Sequence, residues 1–289
     1  MTPRGWLLFV LSSVIWGVPY LFIKVAVDAG VPPAFVAWVR VALGAALLLP
    51  IALRRGALHG LPRRGAAIAA YTACEIAVPF VLIATGEQYI SSSLTAILIA
   101  TMPLLVALLS LRLSPADHPT GLRLVGLVIG LGGVVALLGI DVAGRPDELF
   151  GAALVLVATL GYAIAPIIVS RRLADLDPLG PVAASLTLAA IVLLPAALAR
   201  WPEAIPSPTA LGAIAVLGVI CTALGLVVFF QLIAEAGPSR ASVITYINPL
   251  VAVVIGVIVL GERLGAMSVA GLLLILGGSW LSTGGRTTS

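Results

Sequence analysis

Three charged side chains lie inside stretches of this sequence that are otherwise apolar: Lys24, Arg40 and Glu75. Glu75 is the acidic residue deepest in such a stretch, about nine residues from its start, which at helical rise is about 13 Å. A carboxylate at that depth in hydrocarbon is costly unless it faces protein, water or a cation. One use for it is to bind a proton or a substrate amine. The other is a structural ion pair with Arg40, which lies about 10 Å inside the far edge of the neighbouring stretch. The residues alone leave both readings open.

The first apolar stretch carries Ser13, Trp16, Tyr20 and Lys24 at steps of three and four, so on a helix they form one stripe. A second stripe of the same kind is Thr159, Tyr162, Pro166 and Ser170. Such stripes suit a path through a bundle, although Ser and Thr also serve as plain helix-packing groups. Prolines punctuate the stretches at Pro19, Pro103, Pro166 and Pro249. Each removes an amide donor and frees a carbonyl four residues earlier, at Ile99 for Pro103 and at Thr245 for Pro249, which suits a hinge or a substrate contact. Ser242, Thr245, Tyr246 and Pro249 share a helical face, with Asn248 beside it. Gln231, at the inner end of its stretch, suits either the lining of the same path or an interfacial position, and Glu262–Arg263 reads as an interfacial charge pair.

The elements that hold these residues follow from composition. The chain is 61% hydrophobic, with mean hydropathy +1.20 and 10% charged residues, against about 25% charged in ordinary globular domains. A soluble core cannot hide that much apolar surface, whereas a bilayer can. The net charge of +4 is spread over short loops, the membrane pattern rather than a nucleic-acid stripe. The two cysteines, Cys74 and Cys221, are too few for a disulfide scaffold or zinc site. His59 and His118 fall in loops with no second ligand at metal spacing, and no phosphate loop or nucleophile elbow occurs. No metal, no cofactor and no catalytic residue are expected. Arg4 before the first run resembles a signal peptide, but the run continues to Val27 and nine more follow, so a retained span is expected.

Ten apolar runs of membrane-spanning length are predicted, at 6–27, 34–53, 66–86, 92–112 and 121–140, then 149–170, 180–199, 210–232, 240–260 and 266–282. Punctuation such as Pro32–Pro33, Pro115, Pro146 and Pro206–Pro208 separates them. With the N-terminus in the cytoplasm, that side holds Arg4, Arg54, Arg55, Arg63, Arg64, Arg112, Arg123, Arg171, Arg172, Arg240 and Arg286. The other side keeps Lys24, Arg40, Arg145, Arg200 and Arg263, so both termini are expected inside. Displacing the chain by 146 residues lays Pro103 on Pro249, Trp16 on Tyr162 and Thr95–Ala96 on Ala241–Ser242. At 145, Gly126, Gly132 and Gly133 fall on Gly271, Gly277 and Gly278, which with Gly126–x–x–x–Gly130 read as close-packing points. Five spans per copy is odd, so the second copy must be inverted. The expectation is an all-α membrane protein of two inverted five-helix repeats, 1–140 and 149–284, around a central cavity.

Ile15-Trp16-Gly17, the run Tyr246-Ile-Asn-Pro249-Leu-Val-Ala leading to Leu260-Gly-Glu262-Arg-Leu264, and the closing Gly271…Gly277-Gly278 helix carry a family likeness. Together with the tandem repeat, they resemble the EamA branch of the drug/metabolite transporter superfamily over nearly the whole chain. The resemblance implies ten helices with both ends cytoplasmic. It also implies a cavity lined by Trp16, Tyr20, Glu75, Met102, Tyr162, Gln231, Tyr246 and Asn248. The first copy departs from the pattern: Leu111-Arg-Leu-Ser-Pro115 stands where the second has Leu260-Gly-Glu262-Arg, so the acid is missing there.

The expected function is a secondary carrier in the inner membrane, exporting amino acids or similar small amphipathic metabolites by alternating access. The expected partners are a small solute, the bilayer and a candidate coupling proton, with the chain a monomer or weak dimer and no nucleic acid involved. A nucleotide-sugar or phosphorylated-solute exchanger would want more cations than Arg40. An intramembrane enzyme would want clustered catalytic groups at depth.

Overall fold

The computed structural model describes residues 1–113, 121–138 and 144–282, with the side chains of 110–113 and 238–239 left aside. Pro115, His118, Arg286 and the expected repeat ends at 139–140 and 283–284 lie outside the described residues, as does the Arg112 side chain. The described residues are helical, without strands. Helix starts follow capping chemistry: Thr2, Ser91 and Ser207 each accept the amide three residues on, from Gly5, Leu94 and Ala210. Pro3, Pro19, Pro33, Pro146 and Pro208 stand at first positions, where no amide is needed.

The order is α1 (Pro3–Gly17), α2 (Pro19–Asp28), α3 (Pro33–Arg54), a 3-10 turn (Leu61–Arg64), α4 (Gly65–Tyr71), a π-helical segment (Thr72–Ala77) and α5 (Val78–Gly86). Next come α6 (Ser92–Ile99), α7 (Met102–Leu113), α8 (Leu122–Ala136), α9 (Pro146–Arg172), α10 (Leu179–Ala199) and α11 (Pro208–Val216). A second π-helical segment (Leu217–Leu224), α12 (Gly225–Ala236), α13 (Pro238–Ala241), α14 (Ile244–Leu260) and α15 (Ala266–Ser282) complete it. Seven helical segments are long and apolar enough to cross a membrane: Pro3–Asp28, Pro33–Arg54, Leu61–Gly86, Ser92–Leu109, Pro146–Arg172, Leu179–Ala199 and Pro208–Ala236. Three shorter apolar helices, α8, α14 and α15, accompany them. Large apolar side chains face outward along these rods, such as Leu7, Val10 and Val14 on α1 and Val128 and Val135 on α8. An apolar coat of this extent suits lipid rather than water.

Prolines act unequally. The chain breaks between α1 and α2 at Val18, before Pro19, and between α6 and α7 at Ala100–Thr101, before Pro103. By contrast, α9 runs unbroken through Pro166 and α14 through Pro249. Pro249 sits in the second turn of α14, six residues after the break at Ser242–Val243, whereas Pro103 stands two residues after its own.

Packing joins α8 to α15, α3 to α10, α5 to α9, α1 to α12 and α14, and α6 to α14 and α9. The α8–α15 seam is made by backbone. A methyl at Gly126 would stand 2.7 Å from the Gly278 carbonyl, and one at Gly133 would stand 3.1 Å from that of Gly271. Gly132 and Gly277 meet nothing within 4 Å and are exposed, so in each pair the second glycine packs and the first faces outward. At one end of the bundle Thr2 donates to Glu235 at 2.6 Å and Arg64 pairs with Asp175 at 2.9 Å. At the other end gather residues 24–28, 87–93, 145–150 and 261–268, which the contacts below describe.

Candidate substrate site

Arg40, about a third of the way along α3, is held from two sides. Its Nε donates to Thr222 Oγ1 at 3.0 Å, and its Cζ lies 3.8 Å from the centre of the Phe80 ring. Thr222 belongs to the second π-helical segment and donates onward to the Leu217 carbonyl at 2.9 Å, five residues back. The wide turn is what brings that hydroxyl to α3. Among the described residues the two terminal guanidinium nitrogens have no protein partner. A guanidinium fixed at Nε and by ring stacking, with its outer fork open, is preorganised for a carboxylate.

Tyr20 on α2, Tyr162 on α9 and Cys221 lie within electrostatic range of Arg40. Tyr20 and Tyr162 pack against the same buried cluster, which includes Ile23, Ile83 and Ala158. Tyr162 also lies within range of Glu75 and Tyr71. Glu75 sits half-buried in the first π-helical segment and makes no ion pair or hydrogen bond among the described residues. The pair expected between Glu75 and Arg40 is not formed, because Arg40 is turned onto Thr222 and Phe80. Tyr162 is thus the common neighbour of an open cation and a free carboxylate.

The other candidate residues fall elsewhere. Trp16 packs on Phe229 of α12, ring centres 4.5 Å apart, in a cluster separate from that of Tyr162. A methyl at Gly225 would stand 2.7 Å from Trp16 Nε1, so the missing side chain is what seats the indole. Asn248, with its amide oriented to satisfy both partners, donates to the Ile244 carbonyl at 2.9 Å and to that of Ser13 at 3.2 Å, fastening α14 to α1. Met102 and Tyr246 are half-buried and Gln231 is exposed. Of the second stripe, Thr159 is buried and bonded to the Val155 carbonyl, while Ser170 is exposed.

At the end holding residue 262, one finding corrects the sequence reading and a second adds to it. Glu262 does not pair with Arg263. Its carboxylate crosses to the start of α6, accepting from Ser92 N and Ser92 Oγ, each at 2.8 Å, from Ser93 N at 3.0 Å, and from Ser93 Oγ. Gly261, at φ 65°, supplies the left-handed turn that swings residue 262 across. Gly256 leaves room for it, since a methyl there would stand 2.6 Å from Glu262 Oε2 and 2.5 Å from Ser93 Oγ.

The second concerns burial rather than depth along a span: Glu87, just past α5, has 0% exposure. Lys24 donates to the Glu87 main-chain carbonyl at 2.7 Å and pairs with Asp28 at 3.0 Å. Burial pushes the Glu87 carboxyl well above the usual carboxylate range, outweighing the opposing pull of Lys24. Counting apolar residues around position 87 gives no hint of this. The signal available was Lys24, a lysine on the stripe that needed an answer from another loop. A cavity of about 280 Å³ opens beside this end, between Tyr89, Ser91, Arg145, Glu148, Arg263 and Ser268.

A family model described as the EamA-like transporter family matches residues 3–139 and again 149–284. The chain belongs to that family. It is 28% identical over 286 residues to an uncharacterized transporter of Archaeoglobus fulgidus, spanning 96% of this chain and 98% of the relative. It is 29% identical over 260 residues to the uncharacterized inner membrane transporter YedA of Escherichia coli K12, spanning 87% and 81%. It is 26% identical over 277 residues to the uncharacterized transporter YvbV of Bacillus subtilis 168, spanning 94% and 89%. A solved crystal structure, 17% identical, superposes over 96% of each chain at a TM-score of 0.66, a likeness of fold alone. This family member is a multi-pass membrane transporter.

Proposed function

We propose that the chain is a secondary carrier of the inner membrane that exports amino acids or similar small amphipathic metabolites by alternating access. In this reading ten passes form two inverted five-helix repeats, 1–140 and 149–284, with both termini cytoplasmic. Several observations support it. Exchanging the halves preserves the main packing pairs: α5–α9 becomes α12–α1, while α3–α10 and α8–α15 map onto themselves. The π-helical segments Thr72–Ala77 and Leu217–Leu224 lie at repeat-equivalent positions. The relative YedA is named an inner membrane transporter.

The observation that carries the substrate class is the open fork of Arg40 and the free Glu75 carboxylate, with Tyr162 near both. A zwitterion answers both charges: its carboxylate takes the guanidinium and its ammonium takes Glu75. Tyr20 and Tyr162 offer flat apolar surface with polar edges for the remainder. A phosphorylated solute would leave Glu75 facing like charge.

Reconstituted protein, offered a labelled panel of amino acids and phosphorylated sugars with and without a pH gradient, tests this. Uptake of a zwitterionic amino acid, competed by other zwitterions, is the expected result. Movement of the phosphorylated solutes alone would overturn it.

A further inference from the structure

Glu87 is the buried group that the site above does not use. Its side chain has 0% exposure, and among the described residues neither carboxyl oxygen meets hydrogen-bond geometry, the Thr95 hydroxyl being near enough to favour the charged form without meeting it. Lys24 and Thr95 direct hydrogen bonds to other acceptors. Lys24 gives its ammonium to the Glu87 main-chain carbonyl and to Asp28. The Thr95 hydroxyl, within reach, donates to the Ser91 carbonyl at 3.1 Å. The charged groups facing it are Lys24 and Asp28 of α2, Arg40 of α3 and Glu262 beyond α14, with the Tyr20 hydroxyl also in range. Glu262 itself is spent on Ser92 and Ser93.

A carboxylate sealed from water with no hydrogen bond formed is far costlier than the neutral acid in the same place. We propose that Glu87 is a proton-binding site whose proton is a ligand of the shut state of this end of the bundle. When α2, α5 and α6 part, water reaches residue 87, the O–H bond breaks, the proton passes to water and the carboxylate keeps the electron pair. The shut state therefore holds one more proton than the open one, so acid favours shutting and base favours opening. The proton is not a cargo, since it enters and leaves on the same side. Only the use of this latch in transport rests on the carrier reading; the closure itself does not.

The test needs no transported solute. In the full chain, with Cys74 and Cys221 replaced by alanine, Ile90→Cys places a reporter at a position 3% exposed. Tyr89→Cys, at a position 41% exposed, corrects for the reactivity of the thiol itself. Reconstituted protein is labelled with an impermeant maleimide across a pH series. The corrected Ile90→Cys labelling should rise with pH, by up to about tenfold per unit for one linked proton. With Glu87→Gln it should be low and flat, and with Glu87→Asp the rise should persist at a shifted midpoint. An unchanged profile in Glu87→Gln overturns the proposal. So does a rise toward acid, which would mark protonation of Glu262 as the opening event. Should Glu87→Gln not fold, an unmoved midpoint in Glu87→Asp overturns it equally.

Discussion

Glu262 and Ser92 are bonded twice, amide and hydroxyl each to the same carboxylate oxygen at 2.8 Å. With the matching bonds from Ser93 to the other oxygen, one side chain from beyond α14 closes the N-terminus of α6. Here the positive end of the helix dipole meets a negative charge, so charge and hydrogen bonding act together.

Replacing Glu262 by Gln keeps the shape and removes the charge. Hydrogen bonds to charged groups contribute about 1.5–3 kcal/mol, so a loss of about 2 kcal/mol is expected, read as a Tm about 3 °C lower for a chain of this size. An unshifted thermal unfolding curve in detergent would show that the cap contributes nothing.

Gly256→Ala attacks the same clamp from beneath. The added methyl meets Ser93 Oγ and Glu262 Oε2 at 2.5 and 2.6 Å, and overpacking of this kind costs about 1–3 kcal/mol. In a Glu262→Ala background the same change should cost less, because one crowded atom is gone and the Ser93 hydroxyl, released from the carboxylate, can turn away. Additive losses in that double-mutant cycle would disprove the mechanism.

Arg40→Lys keeps the charge but loses both the Nε bond to Thr222 and the flat contact with Phe80. Affinity for a zwitterionic amino acid should fall by about tenfold or more, in keeping with the strength of a charge-assisted pair. Glu75→Gln should weaken zwitterions while sparing analogues that lack the ammonium and keep the carboxylate. Both are read by competition in liposomes, and equal losses for every solute would point to misfolding instead.

Stability should also depend on pH with a definite sign. Glu87 holds its proton to higher pH when shut than an exposed carboxyl does. The folded state therefore binds more protons than the unfolded state above the ordinary carboxylate range, and stability falls as pH rises through that window. Glu87→Gln should flatten this slope in thermal melts taken from about pH 5 upward, a range set by ordinary carboxylate values.

Much of the architecture could be read from the chain alone. Apolar runs, proline starts such as Pro33 and Pro208, and glycines such as Gly126 and Gly278 depend on local composition and spacing, and the structure has helices and a close seam there. The candidate site was only partly legible. Tyr20, Arg40, Glu75 and Tyr162 are polar residues in apolar surroundings, which a linear reading detects. What Arg40 turns toward is decided by Thr222, 182 residues away, and by a wide turn that no 3.6-residue template contains. Glu87 and Glu262 looked like ordinary loop acids because burial there comes from neighbouring segments folding over them, not from their own flanks.

The π-helical segment at Thr72–Ala77 has one further consequence. A bulge of this kind accommodates an extra residue, and each residue turns a regular helix by about 100°. Deleting a single residue there would close the wide turn to a regular one and leave α5 nearly in register, with Phe80 still over the guanidinium and only the aim of residues such as Glu75 changed. The same deletion a few residues later, in regular α5, would swing Glu87 by about 100°, although the hydropathy profile would hardly tell the two apart.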